Sequence, residues 1–83
     1  MTKADVFEIV KENILDILPD VSEEEIQIEG SMKDLGANSI DRADIVVGSM
    51  EKLGLKIPLV EFGQLKNIQE LVDLLYERKV SNG

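Results

Sequence analysis

The sequence predicts an all-α protein: a small bundle of three main helices plus a short helix, with a long loop between the first and second helices. Three observations lead there. Apolar residues recur at three- and four-residue spacings in three separate stretches. Polar residues suited to capping stand immediately before each stretch. With no Trp, one Tyr and two Phe among 83 residues, the core has to be built from Ile, Leu, Val and Met, and packing helix on helix is the simplest way to bury three such stripes. A chain of this length is expected to form one domain spanning residues 1–83.

The first stretch carries Val6, Val10, Ile14 and Ile17 on one stripe, widened by Phe7 and Leu18, with Thr2 as N-cap and an end before Pro19-Asp20. Ser22 followed by Glu25 has the spacing of a capping box. Ile26 and Ile28 alternate with polar residues for only a few positions before Gly30, so this region is read as loop. Connections this long without regular structure are uncommon in compact domains and are often functional.

The second helix begins after the stretch "DLGANSID", Asp34 to Asp41. Asn38 is its N-cap, and Asp41 stands at N3, where a carboxylate suits the positive end of the helix. At about 100° per residue, Ile40, Ala43, Val46, Val47, Met50 and Leu53 share an apolar arc. The same wheel sets Asp41, Asp44, Gly48 and Glu51 on the flank beside it, with Ile45 beyond them, outside the core stripe and exposed. Gly54 stops the helix. Pro58 sets a bend, and "LVEFGQLK" holds at most a short helix. Asn67 with Glu70 repeats the capping pattern ahead of Ile68, Leu71, Val72 and Leu75, the stripe of the last helix, and "VSNG" is expected to fray.

Charge and composition exclude several functions. Nine basic residues stand against 17 acidic ones, for a net charge of -8. That argues against nucleic acid and anionic membranes as partners and favours proteins with basic docking patches. Without Cys there is no disulfide, thiolate nucleophile or thiolate metal site, so any thiol chemistry has to be imported. The N-terminal segment carries charges inside its apolar pattern and reads as neither signal peptide nor membrane span, which makes the cytoplasm the expected location.

Ser39, at the first turn of the second helix, is the residue in question. Unpaired N–H groups and the helix dipole make such a position suitable for a phosphate ester, while the plain alternative is that Ser39 merely opens the helix with Asn38 as its cap. Hydrolysis is excluded, because a serine nucleophile needs a base and the chain has no His. Asp41, Asp44 and Glu51 are either a solvated face or, with Ile45 beside them, a docking surface. Asp41 and Asp44 have i, i+3 spacing but lack the ordered oxygen ligands of a calcium site, so no metal is expected.

"LGANSID", an acidic-edged helix, "EKLGLKIP" and the final "NIQELVDLL" together resemble an acyl carrier protein over nearly the whole chain. The family's Asp-Ser-Leu type motif stands here as Asn38-Ser39-Ile40, and Ile57-Pro58 falls where the family has its Ile-Pro step. The resemblance implies a 4'-phosphopantetheine arm on Ser39, attached from coenzyme A by a phosphopantetheinyl transferase, with acyl groups carried as thioesters on the imported thiol. It implies a monomeric carrier with no catalytic residue of its own.

The departures from the motif narrow the likeness. Asn38 replaces the usual Asp, Arg42 adds a positive charge to the recognition helix, and the segment after Pro58 is less acidic than in fatty-acid carriers. "NSIDRADIV" with "MEKLGLKIP" resembles the free-standing carriers of polyketide β-branching cassettes, which receive malonyl, have it decarboxylated to acetyl, and donate the acetyl to a hydroxymethylglutaryl-synthase-like enzyme. The implied partners are therefore the transferase, an acyltransferase, a decarboxylase and that synthase. Asn38, Ile40, Asp41, Arg42, Asp44, Ile45 and Glu51 are the candidate partner-binding residues, with Arg42, Asp41, Asp44 and Ile45 the candidates for choosing the synthase. A carrier for fatty-acid, D-alanyl or peptide-synthetase chemistry and an arm-free acidic binding module are the competing readings. Val46, Met50, Leu53, Val60 and Leu71 are the core positions expected to line any space for an alkyl cargo, whereas a short acyl group is expected to stay outside.

Overall fold

The computed structural model describes residues 1–82. Among them the regular elements are three α-helices, α1 (Lys3–Ile17), α2 (Ser39–Leu53) and α3 (Ile68–Asn82), and two short 3-10 turns, Glu23–Glu25 and Leu59–Phe62. No helix among the described residues is long and apolar enough to cross a membrane.

The ends of the helices follow from local chemistry. Thr2 Oγ1 accepts from Asp5 N–H at 3.2 Å while the Asp5 carboxylate accepts from Thr2 N–H at 2.8 Å, so two otherwise unpaired donors are satisfied reciprocally. Gly54 closes α2 in the left-handed conformation, φ 69°, which costs a residue without Cβ nothing. Its N–H and that of Leu55 turn back onto Glu51 O and Met50 O. Lys79 Nζ, from α3, donates to Leu53 O at 2.9 Å and satisfies one more carbonyl at that end.

Helix α1 lies against both α2 and α3. Val6, Val10 and Ile14 from α1 and Ile68, Leu71, Val72 and Leu75 from α3 are fully or almost fully buried, as their spacing requires. The expected fraying at "VSNG" is corrected for its first three residues: α3 continues through Val80 and Ser81 to Asn82, and Gly83 lies outside the described residues.

Helix α2 sits in the core differently from its apolar pattern. Its buried residues are Ile45, Val46, Ser49, Met50 and Leu53, an arc whose centre is rotated by about 80° from that of the expected stripe at about 100° per residue. Two expectations are corrected. Ile45, taken as exposed, is 0% exposed, and Ile40, assigned to the core stripe, is 71% exposed. The reason is the approach of α1 on the side of Gly48 and Ser49. Small residues there admit the neighbouring helix, so that side is covered although it looks polar on the wheel. The buried Ser49 hydroxyl donates to Ile45 O at 2.8 Å, which removes the cost of enclosing it.

The long connection between α1 and α2 is more ordered than a loop reading implies. Ser22 N–H and its hydroxyl both bond the Glu25 carboxylate, at 3.2 and 3.0 Å, and the turn Glu23–Glu25 forms. Beyond it Ile26 is buried, while Ile28 O and Gly30 O accept from Gln69 N–H and Ile68 N–H at 2.8 Å each. The connection thereby caps α3, and the two segments are fixed to one another by backbone bonds.

Candidate functional site

The stretch before Ser39 is a folded turn. Leu35 N–H and Ala37 N–H both reach Met32 O, at 3.1 Å each, and Gly36 N–H reaches Lys33 O at 3.0 Å. Gly36 closes the turn at φ 96°, a conformation that side chains disfavour. No atom stands within 4 Å of where its Cβ would be, so the requirement for glycine there is conformational and not steric. Ala37 packs into the core, and the chain then enters α2 at Asn38.

Asn38 is the N-cap, its Oδ1 accepting from Asp41 N–H at 2.8 Å, and Asp41 Oδ2 accepts from Asn38 N–H at 3.2 Å. This reciprocal pair places Ser39 in the first helical position with its side chain exposed. Asp41 is thus half-buried and engaged in the cap, while Asp44 and Glu51 are exposed. Ile40, Asp44 and Glu51 follow one another along one exposed face of α2, with Val47 half-buried beside them. Of the residues expected to form a partner surface there, Ile45 is absent because it lies in the core.

Arg42 occupies a different place from the one expected of it. Its guanidinium turns back over the start of the helix, where Nη1 donates to Ala37 O at 2.9 Å and Nη2 points to Ser39 Oγ at 3.5 Å, the outer limit of a hydrogen bond. Among the described residues it forms no ion pair with any carboxylate. A surface arginine paired with an adjacent acid would have been unremarkable in so acidic a chain; this one is held by a carbonyl and directed at a hydroxyl.

Ser39 and Arg42 stand at a cavity of about 410 Å³ between α2, the end of the α1–α2 connection and the segment leading into α3. Met32, Val46, Leu59, Phe62, Leu65 and Leu71 give it apolar walls, and Lys33 and Lys66 line it along with Arg42. Of the residues expected to border space for an alkyl cargo, Val46 and Leu71 do so. Met50 borders a second hollow of about 370 Å³, with Val47, Leu55 and Ile57, and not the one beside Ser39; Leu53 is buried elsewhere in the core, and Val60 is corrected outright, being 82% exposed. Val60 belongs to the four-residue turn after Pro58, too short to bury more than one side, and that side is given to Phe62. Lys33 and Lys66 carry no motif in the sequence; the bonds between the α1–α2 connection and the start of α3 bring them to one cavity.

Residues 8–75 match the phosphopantetheine attachment site family. Among curated proteins, the polyketide biosynthesis acyl-carrier-protein AcpK of Bacillus subtilis (strain 168) is 40% identical over 78 residues, covering 94% of this chain and 95% of that protein. The acyl carrier protein of Petrotoga mobilis is 35% identical over 79 residues, covering 94% and 92%. Among solved structures, a chain of the curacin biosynthetic pathway HMG synthase in complex with acetyl donor-ACP superimposes with a TM-score of 0.81 at 38% identity, covering 92% of this chain and 96% of that one.

Proposed function

This chain belongs to the phosphopantetheine attachment site family and is an acyl carrier protein whose cofactor is covalent 4'-phosphopantetheine, and from that premise we propose that Ser39 bears the arm and that the carrier donates acetyl, received as malonyl, to a hydroxymethylglutaryl-synthase-like enzyme of polyketide biosynthesis. The observation that carries the attachment site is the seating of Ser39. Its hydroxyl is exposed in the first turn of α2, held there by the Asn38–Asp41 cap, with a guanidinium at 3.5 Å and a cavity alongside.

These residues fit the group. An exposed hydroxyl is open to a modifying enzyme, the first-turn N–H groups and Arg42 favour the negative charge of a phosphodiester, and the apolar cavity walls suit the aliphatic part of an arm. When bound, the arm supplies the thiol that this cysteine-free chain lacks. The chain's own residues present and deliver; with no His, the Ser-His pairing that activates a serine nucleophile is missing, and we read the protein as substrate for other enzymes and not as an enzyme.

The pathway assignment is supported by the likeness to AcpK and to the acetyl-donor carrier chain, at 40% and 38% identity. We assign the phosphopantetheinyl transferase, an acyltransferase, a decarboxylase and the synthase as partners, docking on the exposed face of α2 at Ile40, Asp44 and Glu51, with Asn38 and Asp41 at its head. A single carrier domain over residues 1–83, monomeric and cytoplasmic, completes the reading.

Intact mass before and after incubation with coenzyme A and a broad-specificity phosphopantetheinyl transferase tests the attachment. A gain of one phosphopantetheinyl group, lost in Ser39→Ala, is expected. No gain with several transferases would move the weight to an arm-free acidic binding module. Loading from malonyl coenzyme A, followed by decarboxylation and transfer by the β-branching enzymes, tests the cargo; a carrier that instead accepts D-alanyl or aminoacyl groups or serves fatty-acid elongation overturns the pathway.

A further inference from the structure

The cavity beside Ser39 has a charge composition at odds with the rest of the chain. Lys33, Arg42 and Lys66 line it, three of the nine basic residues, and none of the 17 acidic residues does. Among the described residues none of these three cations is paired with a carboxylate. Arg42 is also pre-set: with Nη1 held on Ala37 O at 2.9 Å, Nη2 is aimed at Ser39 Oγ without being committed to a strong bond there.

Unpaired cations clustered in an acidic protein are an arrangement for an anion that arrives later. Arginine suits a phosphate better than lysine does, because its planar fork offers several donors in fixed directions. The only anion that the established cofactor brings to this position is the phosphodiester formed on Ser39 Oγ, and its unesterified oxygens lie two bonds beyond the atom that Nη2 already faces.

We propose that Arg42 is a phosphate clamp: it holds the phosphodiester on Ser39, with Lys33 and Lys66 as a secondary cationic wall, and so fixes the root of the arm against the cavity. The inference rests on Ser39 as the attachment site. Arg42 acts on the carrier's own cofactor, in addition to any part in partner choice, and its effect is present in the isolated protein with no enzyme bound.

The test compares wild type, Arg42→Gln and Arg42→Lys, each loaded with coenzyme A and excess transferase, verified by intact mass, and S-methylated so that no cargo carboxylate is present. Gln retains a donor for Ala37 O without the charge, and Lys retains the charge without the fork. Two quantities are read: the 31P resonance of the phosphodiester, and the change in thermal midpoint between unloaded and loaded protein. In wild type, the resonance is expected to lie away from that of the same phosphodiester in the urea-unfolded loaded protein and to move toward it between about 0.1 M and about 1 M salt, as the screening length falls from about 10 Å to about 3 Å. In Arg42→Gln it is expected at the unfolded-chain position at all salt concentrations, and in Arg42→Lys between the two. Loading is expected to raise the midpoint in wild type more than in Arg42→Gln.

Equal 31P positions in all three proteins, or equal changes in midpoint on loading, overturn the clamp. So does a salt-dependent shift that appears only when malonyl replaces the methyl cap, since the cations then serve the cargo. Should Arg42→Gln not fold, the salt series on wild type and Arg42→Lys decides by the same criteria. A chain that gains mass but shows no dependence on Arg42 or on salt loses only the clamp, whereas one that gains no mass at Ser39 loses the attachment site and the clamp together.

Discussion

A β-carbon placed on Gly48 would stand 2.2 Å from Asn13 Oδ1, so α2 meets α1 where backbone faces a side-chain amide with no space between. Asn13 is held there by its own helix, Nδ2 donating to Ile9 O at 2.9 Å. Alanine at position 48 gains about 1 kcal/mol of helix propensity but has to displace that amide, and overpacking of this kind costs about 1–3 kcal/mol. Gly48→Ala alone is therefore expected to lower stability by about 1 kcal/mol, while in an Asn13→Ala background it should raise it by a similar amount. Urea unfolding of the four proteins of the cycle measures this. The same sign in both backgrounds would remove Asn13 as the cause.

The rotation of α2 in the core makes opposite predictions for two isoleucines. Ile45→Ala should cost about 2–5 kcal/mol, as for other fully buried aliphatic side chains, and Ile40→Ala should stay within about 0.5 kcal/mol of wild type. Chemical denaturation reads the first difference. Ile40→Ala is expected to show its effect in partner reactions, slowing both arm attachment by the transferase and acyl transfer to the synthase. A stability loss at Ile40 and none at Ile45 would restore the helix orientation that the apolar stripe suggests.

Capping at Asn38 sets the stability of the helix that carries Ser39. Asn38→Ala removes the acceptor of Asp41 N–H and should cost about 1 kcal/mol. Asn38→Asp keeps an acceptor and adds a charge at the positive end of α2, so the unloaded protein should gain about 0.3–1 kcal/mol at low salt. In the loaded protein the new carboxylate lies beside a phosphodiester, and the gain should shrink. Thermal midpoints of loaded and unloaded forms at two salt concentrations test both statements.

Asp5 is the group with a defined pH signature. The Thr2 backbone N–H, and after it the Thr2 hydroxyl, hold its carboxyl below the ordinary value, with a smaller contribution from the N-terminal charge. A folded-state pKa lower than the unfolded one stabilises the fold above the unfolded value, and that contribution disappears as pH falls through the lowered folded value. The stability difference between wild type and Asp5→Asn should therefore be constant at neutral pH and shrink on acidification through the carboxylate range. A difference that grows toward acid pH would show that the Thr2–Asp5 bonds do not persist in solution.

Much of the fold was legible in the sequence because it is decided within a few residues. Thr2, Asn38, Gly54 and Asn67 mark their helix ends by side-chain or backbone chemistry that acts at three- and four-residue range. Val6, Val10 and Ile14, like Ile68, Leu71, Val72 and Leu75, form stripes clear enough to point one way only. Ser39 stood out as the first residue of a helix behind a Leu-Gly turn. The turn at Glu23–Glu25 is legible only through its Ser22–Glu25 pair, because three residues give too short a pattern to count.

What the tertiary structure alone decided is how α2 is turned and what gathers at its head. Ile40 and Ile45 are identical in hydropathy, and only the approach of α1 over Gly48 and Ser49 determines that the second is enclosed and the first presented. Arg42 reads as one more charge on a mixed face until the Met32–Ala37 turn folds and sets a carbonyl where its guanidinium can be held. Lys33 and Lys66 are remote in sequence and share a cavity with Ser39 only because Gly30 and Ile28 bond the start of α3. Helix propensity and caps are local free energies and can be read from a string of residues; the direction a helix face takes and the charges that converge on one hydroxyl depend on which other segment arrives there.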